Sequence, residues 1–288
     1  MLLIDSHVHL YPPDVNQNPA AWAADQGESA WGTLCTRKRK NGSDVQGFPS
    51  VDELLRALDA AGVDRAVLLG WYWQHQATCV RQNRFYAACI RAHPDRLAAF
   101  ATVQPTAGAA ALAEMVWAQE QGFRGLGELS PHAQQVAAGD SRWGAVLGLA
   151  GQLKLPVNLH VTDPSSRDFP GRVLTPLGDF IRWSREFPST KFILAHWGGG
   201  LAFDSESRPL RNVWYDSAAS PLLYGPEVWT RAAKAVGVEK ILFGSDYPLV
   251  LYPQIETTPG IAGLRAEAYA ADAGEGVLGG NASKLLNW

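Results

Sequence analysis

The sequence predicts an α/β fold, and within that class a (β/α)8 TIM barrel. Eight short apolar segments alternate with helical patterns along the chain, and eight parallel strands close a barrel. The length of 288 residues suits one such barrel, which typically needs about 250 residues. Four histidines and one aspartate each stand where an apolar segment ends, and this is where barrels carry their reactive groups.

The predicted strands are short apolar segments rich in β-branched and aromatic residues. They cover residues 2–9, 65–70, 97–104, 124–128, 157–160, 191–196, 212–216 and 240–246. Apolar strands that alternate with helices indicate a parallel sheet whose faces are covered by helices. An open doubly wound sheet is the alternative. It lacks its best supporting signal, because no G-x-G-x-x-G motif follows the first strand.

The predicted helices begin and end at recognisable signals. Ser50 precedes residues 51–61 and is followed three positions later by Glu53, which is the pattern of a capping box. Gly122 follows residues 109–121 and suits the end of a helix. The remaining predicted helices cover residues 79–92, 143–153, 173–187, 227–236, 261–271 and 281–286.

Two segments are longer than ordinary connections between elements. Residues 11–49 follow the first strand and are polar and dotted with proline and glycine, and residues 197–211 follow the sixth strand. Both leave the C-terminal ends of strands, where long barrel loops are typical of active-site lids. No repeat, low-complexity tract or boundary divides the chain, so residues 1–288 are predicted to form a single barrel domain.

Composition excludes several classes of protein. The net charge of −3 and the lack of a basic stripe argue against nucleic acid and membrane surfaces as partners. No apolar segment reaches the roughly 18 residues of a membrane helix, and the N-terminal residues are too polar for a signal peptide. The three cysteines form no C-x-x-C motif and indicate a reducing compartment. We therefore expect a cytoplasmic protein, with a homodimer as the default oligomer.

The first predicted strand ends in Asp5-Ser6-His7-Val8-His9. Alternate side chains of a strand share a face, so His7 and His9 can both point into the mouth of the barrel. Two adjacent imidazoles form half of a site for zinc, manganese or iron, although such a pair alone is equally typical of exposed strand-end histidines. Asp5 lies deeper on the same face and is predicted to be a partner for a histidine N–H.

Four further strands end in a residue that can bind a metal. His160 ends the fifth strand, and His196 ends the sixth and is followed by Trp-Gly-Gly-Gly. Asp246 ends the eighth within Gly-Ser-Asp-Tyr-Pro. Glu128 ends the fourth, where it either binds a metal or is a rim carboxylate held by a backbone amide or an arginine. All of these side chains would converge at one rim of the barrel.

Together with Gly280-Asn281-Ala282, these motifs resemble the amidohydrolase superfamily. The similarity is to the amidohydrolase-related branch that includes aminocarboxymuconate-semialdehyde decarboxylase and γ-resorcylate decarboxylase. It covers essentially the whole chain and implies a TIM barrel of the metal-dependent hydrolase type. His196 would bind a second metal or polarise the substrate. The metal ligands that the resemblance implies are His7, His9, His160 and Asp246.

Glu128 resembles the strand 4 glutamate of TatD-like and lactonase-type members, which bridges two metals. Many mononuclear decarboxylases use no ligand at that position, so Glu128 favours hydrolysis. The implied cofactor is one or two divalent ions, zinc first, with manganese or iron as alternatives. No lysine ends the fourth strand, so a carbamylated bridging lysine is not expected.

The expected function is that of a metal-dependent hydrolase acting on a small carboxylated ester, lactone or amide through a metal-activated water. The metal would lower the pKa of water to about 7, Asp246 would transfer the proton, and His196 would stabilise the developing oxyanion. The alternative is a non-oxidative decarboxylase of an aromatic or unsaturated carboxylic acid, in which the same residues manage a proton at carbon. A metal-binding protein without catalysis and a nucleic-acid-processing enzyme are two further alternatives.

Candidate substrate-binding residues follow three strands. Trp71 and Trp73 lie in Trp-Tyr-Trp-Gln-His after the second strand and are predicted to form an aromatic wall over the metal. Arg37, in the basic run after the first strand, and Arg167, after the fifth, are predicted to clamp a carboxylate. A solvated surface charge is the alternative for both arginines. These residues indicate a small organic acid as the substrate.

Overall fold

Eight parallel strands form the centre of the computed structural model, which describes residues 2–255 and 259–288. Each strand pairs with the next one along the chain. The ring is completed by hydrogen bonds between the first and last strands, from Ser6 N–H to the Phe243 carbonyl at 2.8 Å and from Asp246 N–H to the His7 carbonyl at 2.9 Å. The predicted (β/α)8 TIM barrel is therefore confirmed. The strands are β1 Ile4–Val8, β2 Arg65–Leu69, β3 Leu97–Ala101, β4 Gly125–Leu129, β5 Val157–Leu159, β6 Phe192–Leu194, β7 Val213–Asp216 and β8 Ile241–Leu242.

Helices connect the strands and cover the outside of the barrel. None of those in the described part of the chain is long and apolar enough to cross a membrane. The helices are α1 Pro13–Gln17, α2 Pro19–Gln26, α3 Ser29–Cys35, α4 Val51–Ala61, α5 Gln76–Ala92, α6 Ala109–Glu120, α7 Ser141–Leu153, α8 Leu177–Glu186, α9 Ser220–Leu223, α10 Val228–Val236, α11 Gly260–Ala270 and α12 Asn281–Leu286.

The helix predicted over residues 173–187 begins four residues later than expected, at Leu177. Thr175 precedes a proline, and a residue in that position is biased away from the helical conformation. The Thr175 hydroxyl also accepts a hydrogen bond from the Thr162 backbone N–H at 2.8 Å, which holds the segment against the end of β5.

The segment of residues 11–49 contains three helices where a long loop was predicted. Helices α1 and α2 each begin with a proline, which suits the first turn because its missing N–H has no helical partner there. Residues 197–211 begin with a left-handed stretch from Trp197 to Gly200 and contain a 3-10 turn over Ser205–Ser207. Both segments lie at the C-terminal end of the barrel, where they surround the predicted site.

Three apolar clusters hold the fold together. The largest lies between the strands and the surrounding helices. A second fills the barrel interior and is closed at the N-terminal end by α12, through Ala282, Leu285 and Leu286. A third, built mainly of aromatic rings from α2, α3 and the segment after β2, lies over the C-terminal end. The interior of the barrel is therefore filled by apolar side chains.

The start of α4 gives a prediction about stability. The Ser50 hydroxyl accepts a hydrogen bond from Glu53 N–H, and the Glu53 carboxylate accepts one from Ser50 N–H at 2.7 Å. Ser50→Ala should lower the free energy of unfolding by about 1 kcal/mol, because a backbone N–H loses its cap. Urea denaturation measures this loss. Glu53→Gln, which can still accept the bond, is the control and should cost less; an equal loss in both variants would contradict the assignment.

Candidate metal centre

Six side chains that lie within or just after five strands converge at the C-terminal rim of the barrel. They form two groups, within each of which the potential ligand atoms lie within 4.8 Å of one another. Each group contains histidine nitrogens and one carboxylate, a donor set that could hold a divalent ion. All six residues are those singled out in the sequence. The first group is His7, His9 and Asp246, and the second is Glu128, His160 and His196.

The first group joins the ends of β1 and β8. The Nε2 atoms of His7 and His9 lie 3.1 Å apart. The Asp246 carboxylate oxygen Oδ1 lies 3.8 Å from the first of these nitrogens and 3.5 Å from the second. Ligand atoms of a tetrahedral zinc ion lie roughly 3.3 Å apart, given zinc–nitrogen bonds of about 2.05 Å. The spacing therefore suits three ligands of one ion.

The second group joins the ends of β4, β5 and β6. The Glu128 Oε1 atom lies 3.0 Å from His160 Nδ1 and 3.4 Å from His196 Nε2, and these two nitrogens lie 3.2 Å apart. The other oxygen of Glu128 lies 3.6 Å from His9 Nε2. Glu128 thus stands between the two groups, with one oxygen facing each.

The hydrogen bonds behind the imidazoles test whether a cation fits here. His9 Nδ1 lies 3.0 Å from the Leu69 carbonyl, and His196 Nδ1 lies 3.1 Å from the Ala218 carbonyl. A carbonyl can only accept, so each Nδ1 carries a proton, and in the neutral ring each Nε2 presents a lone pair to the rim. Burial lowers the pKa of His196, but Glu128 and Asp246 raise it to about 9, so its Nε2 also takes up a second proton readily. These lone pairs face carboxylate oxygens, which are also acceptors. Such a surplus of buried acceptors is costly unless a cation lies among them, so the residues fit a divalent metal.

The electrostatics of the first group favour positive charge. Burial by itself would lower the pKa of His7, but the Asp216 carboxylate beside it raises that pKa to about 10. Burial, together with the nearby His7, lowers the pKa of His9 to about 3. Burial raises the pKa of Asp246 to about 7, against the opposing effect of the histidines. The acids around His7 thus favour one positive charge at this group, which either a second proton or a metal ion on His7 Nε2 would supply, whereas the His9 ring stays neutral.

Two of the six residues adopt a left-handed backbone conformation. The φ angle is 57° at His196 and 69° at Asp246, a region that costs energy for residues other than glycine. The residues after His196 continue in this conformation, with φ of 59° at Gly198. A Cβ atom on Gly198 would come within 2.9 Å of the Tyr215 ring, which explains why position 198, two residues after the histidine, is a glycine. The unusual turn aims the His196 ring at the rim.

One buried acid at the rim was not predicted from the sequence. Asp216 ends β7 and accepts hydrogen bonds from the His7 ring at 2.9 Å and from the Asn158 amide at 2.9 Å. Asp5, which was expected to pair with a histidine N–H, instead accepts the backbone N–H groups of His7 at 3.2 Å and Ser245 at 2.9 Å. The sequence signal that could have revealed Asp216 is the segment Val-Trp-Tyr-Asp. Like the other strands at the site, it is an apolar strand that ends in a polar residue.

An aromatic wall stands beside the metal groups, built from Trp71 and Tyr72. Their rings stack at 4.4 Å between centroids, with Trp71 at 5.2 Å from the His9 ring and Tyr72 at 5.1 Å from the His160 ring. Trp73 does not join them. It is buried in the aromatic cluster behind the wall, where its indole N–H donates to Gln82.

The two predicted arginines lie in different surroundings. Arg37 is half-buried, interacts electrostatically with Tyr72, and places its guanidinium 4.8 Å from the Phe169 ring centroid. Arg167 lies on the same loop as Phe169, after β5, and is exposed. The structure therefore packs Arg37 on Phe169, half-buried and within electrostatic range of Tyr72, and leaves Arg167 exposed.

Solved structures share this fold along their whole length. A 5-carboxyvanillate decarboxylase from Novosphingobium aromaticivorans, complexed with manganese and 4-hydroxy-3-methoxy-5-nitrobenzoic acid, has a TM-score of 0.73 at 16% identity, covering 100% of this chain and 96% of the other. A 2,6-dihydroxybenzoate decarboxylase from Rhizobium has a TM-score of 0.69 at 18% identity, covering 100% and 99%. A probable 2-pyrone-4,6-dicarboxylic acid hydrolase from Acinetobacter baumannii, with citric acid bound, has a TM-score of 0.63 at 17% identity, covering 100% of both chains.

Sequence comparison gives the family. No curated protein matches the chain. The amidohydrolase family profile, however, matches residues 4–288, which span all eight strands and both metal-binding groups. The family match and the shared barrel confirm the resemblance seen in the motifs. The chain is an enzyme of the amidohydrolase superfamily and belongs to its amidohydrolase family.

Proposed function

We propose that this enzyme is a metal-dependent, non-oxidative decarboxylase of a small aromatic carboxylic acid. The stacked Trp71–Tyr72 wall carries the proposal, because it lies against His9 and His160, one histidine from each metal group. A planar ring can pack on such a wall while its carboxylate reaches the metal groups. This was the alternative reading of the sequence, and the aromatic wall now favours it over hydrolysis.

The structural relatives support the same chemistry. Two of the three described above are named as decarboxylases of aromatic acids, and one of them was crystallised with manganese and a substituted benzoic acid. We propose that His7, His9 and Asp246 hold one divalent ion here, as zinc, manganese or iron. When bound, the ion supplies a Lewis acid for anionic oxygens of the substrate. A cytoplasmic location and a homodimeric state stay predictions.

The side chains of this enzyme then handle a proton. In decarboxylation the bond between the ring carbon and the carboxyl carbon breaks, carbon dioxide leaves, and the electron pair stays on the ring carbon. One proton must be added to that carbon for the reaction to balance. Asp246, whose carboxylate is partly open to the mouth, or His196, beside Glu128, is placed to deliver it. The Trp71–Tyr72 wall orients the ring during this step and excludes water.

Hydrolysis of an ester, lactone or amide is the second candidate, and the position of Glu128 favours it. One oxygen of Glu128 faces His160 and the other faces His9, which suits a carboxylate shared by two ions. In this case Asp246 would remove the proton from the attacking water, and His196 would donate to the developing oxyanion. Two ions per chain are expected for hydrolysis, and one for decarboxylation.

Product analysis distinguishes the two candidates. The metal-loaded enzyme would be incubated in ¹⁸O-labelled water with hydroxylated and methoxylated benzoic acids and with small carboxylated esters and lactones. We expect carbon dioxide and a ring product that is lighter by its carboxyl group, with no ¹⁸O in that product. Product that carries ¹⁸O, formed without carbon dioxide, would overturn decarboxylation and support hydrolysis.

Arg37 gives a prediction about substrate charge. Its guanidinium is half-buried, packs on Phe169 and interacts electrostatically with Tyr72, which supports its predicted role as the anion-binding group. Arg37→Leu should raise KM for an aromatic dicarboxylate by about 10–100-fold, since a charge-assisted hydrogen bond contributes about 1.5–3 kcal/mol. Arg37→Lys keeps the charge but loses the planar fork and should give an intermediate value. Arg167→Leu is the matched control, and an equal rise in KM for that variant would contradict the role of Arg37.

A further inference from the structure

Asp216 is a buried carboxylate, and each of its two oxygens accepts a hydrogen bond from one candidate metal ligand. Its Oδ2 atom accepts hydrogen bonds from His7 Nδ1 at 2.9 Å and from Asn158 Nδ2 at 2.9 Å. Its Oδ1 atom accepts the backbone N–H groups of His196 and Ala218, each at 3.1 Å. The side chain is fully buried, and all four contacts are donors to it. One residue of β7 therefore links the ends of β1, β5 and β6.

The four contacts divide into two kinds. The backbone N–H groups of His196 and Ala218 can only donate, so they require an acceptor at Oδ1. The His7 ring can exchange its proton between its two nitrogens. When the ring carries a single proton, the carboxylate at Oδ2 keeps that proton on Nδ1, and Nε2 offers a lone pair on the side that faces His9 Nε2 at 3.1 Å. The same carboxylate also holds the backbone N–H of His196 in its left-handed turn.

We infer that Asp216 is a positioning residue that makes His7 a metal ligand by fixing its tautomer and that anchors the turn carrying His196. The inference rests on the proposed metal centre. It assigns no contact between Asp216 and the metal or the substrate, because both oxygens are occupied by the groups named above. Such carboxylate partners of ligating histidines orient the ring and raise its basicity.

Asp216→Asn tests the inference. The amide oxygen of asparagine must face the two backbone N–H groups, which leaves the amide NH2 facing His7 Nδ1. The His7 ring must then accept there and carry its proton on Nε2, where it blocks metal binding; an analogous exchange disables the histidine of serine proteases. We expect the zinc affinity of the variant to fall by about 10–100-fold, measured by competition with a chromophoric chelator.

Asp5→Asn is the matched control. Asp5 is equally buried and lies two residues before His7 on β1, and its Oδ1 accepts the backbone N–H groups of His7 and Ser245. Its other oxygen lacks a hydrogen-bond partner among the described residues, so an amide there disturbs no donor. Zinc affinity should stay close to that of the unmodified enzyme. Equal affinities in all three proteins, or equal losses in both variants, would overturn the role of Asp216.

A measurement on the unmodified enzyme keeps the test valid if Asp216→Asn does not fold. Nitrogen-15 NMR of the zinc-loaded, histidine-labelled protein should show His7 with a proton on Nδ1 and zinc on Nε2. A His7 ring that binds zinc but lacks the Nδ1 proton would overturn the inference and leave the metal centre intact. Failure of the unmodified enzyme to bind zinc or manganese at all would overturn the proposed metal centre, and the inference with it.

Discussion

Replacing Asp246 with asparagine is expected to lower kcat by about 10²–10⁴-fold, the usual contribution of a positioned proton-transfer group. Asp246 follows β8, and its Oδ1 atom lies 3.5 Å from His9 Nε2 and 3.8 Å from His7 Nε2, beside the candidate metal ligands. An amide can neither take up the proton nor deliver it to carbon. The loss should appear for decarboxylation and for hydrolysis alike, because both reactions need a proton transferred at this position.

The measurement must separate proton transfer from metal loss. Turnover would be recorded with metal in excess, and the bound metal would be counted in the same sample by elemental mass spectrometry. Asp179→Asn is the matched control, since Asp179 pairs with His132 and Arg182 outside the metal groups. Near-normal kcat in Asp246→Asn would exclude the proton-transfer role, whatever the metal content.

The His7→Ala/His9→Ala double variant should lose both metal and turnover. These two rings contribute the two nitrogens that lie 3.1 Å apart, and each ring is held from behind by a hydrogen bond. Loss of a partner of a ligand costs about 10–100-fold in metal affinity, so loss of two ligands should exceed that range. Isothermal titration with zinc measures the change.

A second pair of histidines provides the control for that variant. His75 and His93 belong to neither metal group and flank α5 at its two ends. The His75→Ala/His93→Ala variant should bind zinc with the affinity of the unmodified enzyme. Retention of tight zinc binding in His7→Ala/His9→Ala would mean that the second group alone holds the ion, and would contradict the assignment of the first group.

The fold and the convergence of the six candidate ligands at one rim could be predicted because both obey a local rule. Each ligand candidate stands where an apolar strand ends, and parallel strands of a barrel end at the same rim. Asp216 obeys the same rule at the end of β7, yet its importance depends on donors from β1, β5 and β6. Those contacts join residues up to 209 positions apart, so no local pattern reveals them.

The aromatic wall shows a different limit of sequence reasoning. Trp71 and Trp73 would share a face only if β2 continued through them, but that strand ends at Leu69. The chain turns after the strand, so Tyr72 joins Trp71 at the wall and Trp73 points to Gln82. Helices α1 to α3 were missed because elements of five to eight residues are too short for a helical periodicity.

The reaction type is harder to predict from the sequence than the candidate site, because the same side chains can serve either decarboxylation or hydrolysis. Glu128 alone favours hydrolysis, whereas the stacked Trp71–Tyr72 pair, visible only in the structure, favours an aromatic acid. Fold and family do not decide between them, since relatives with this barrel include decarboxylases and a hydrolase.

The central claim is that the rim histidines and carboxylates bind a divalent ion that is needed to release carbon dioxide from an aromatic acid. The most direct test strips the untagged enzyme with a chelator, adds back manganese in steps, and records carbon dioxide released from a panel of hydroxylated benzoic acids. The proposal predicts that the stripped enzyme releases no carbon dioxide. It also predicts that the rate of release rises linearly with added manganese until about one ion is bound per chain. Equal release from the stripped enzyme would contradict the metal requirement, and absence of carbon dioxide from the metal-loaded enzyme across the panel would contradict decarboxylation of this substrate class.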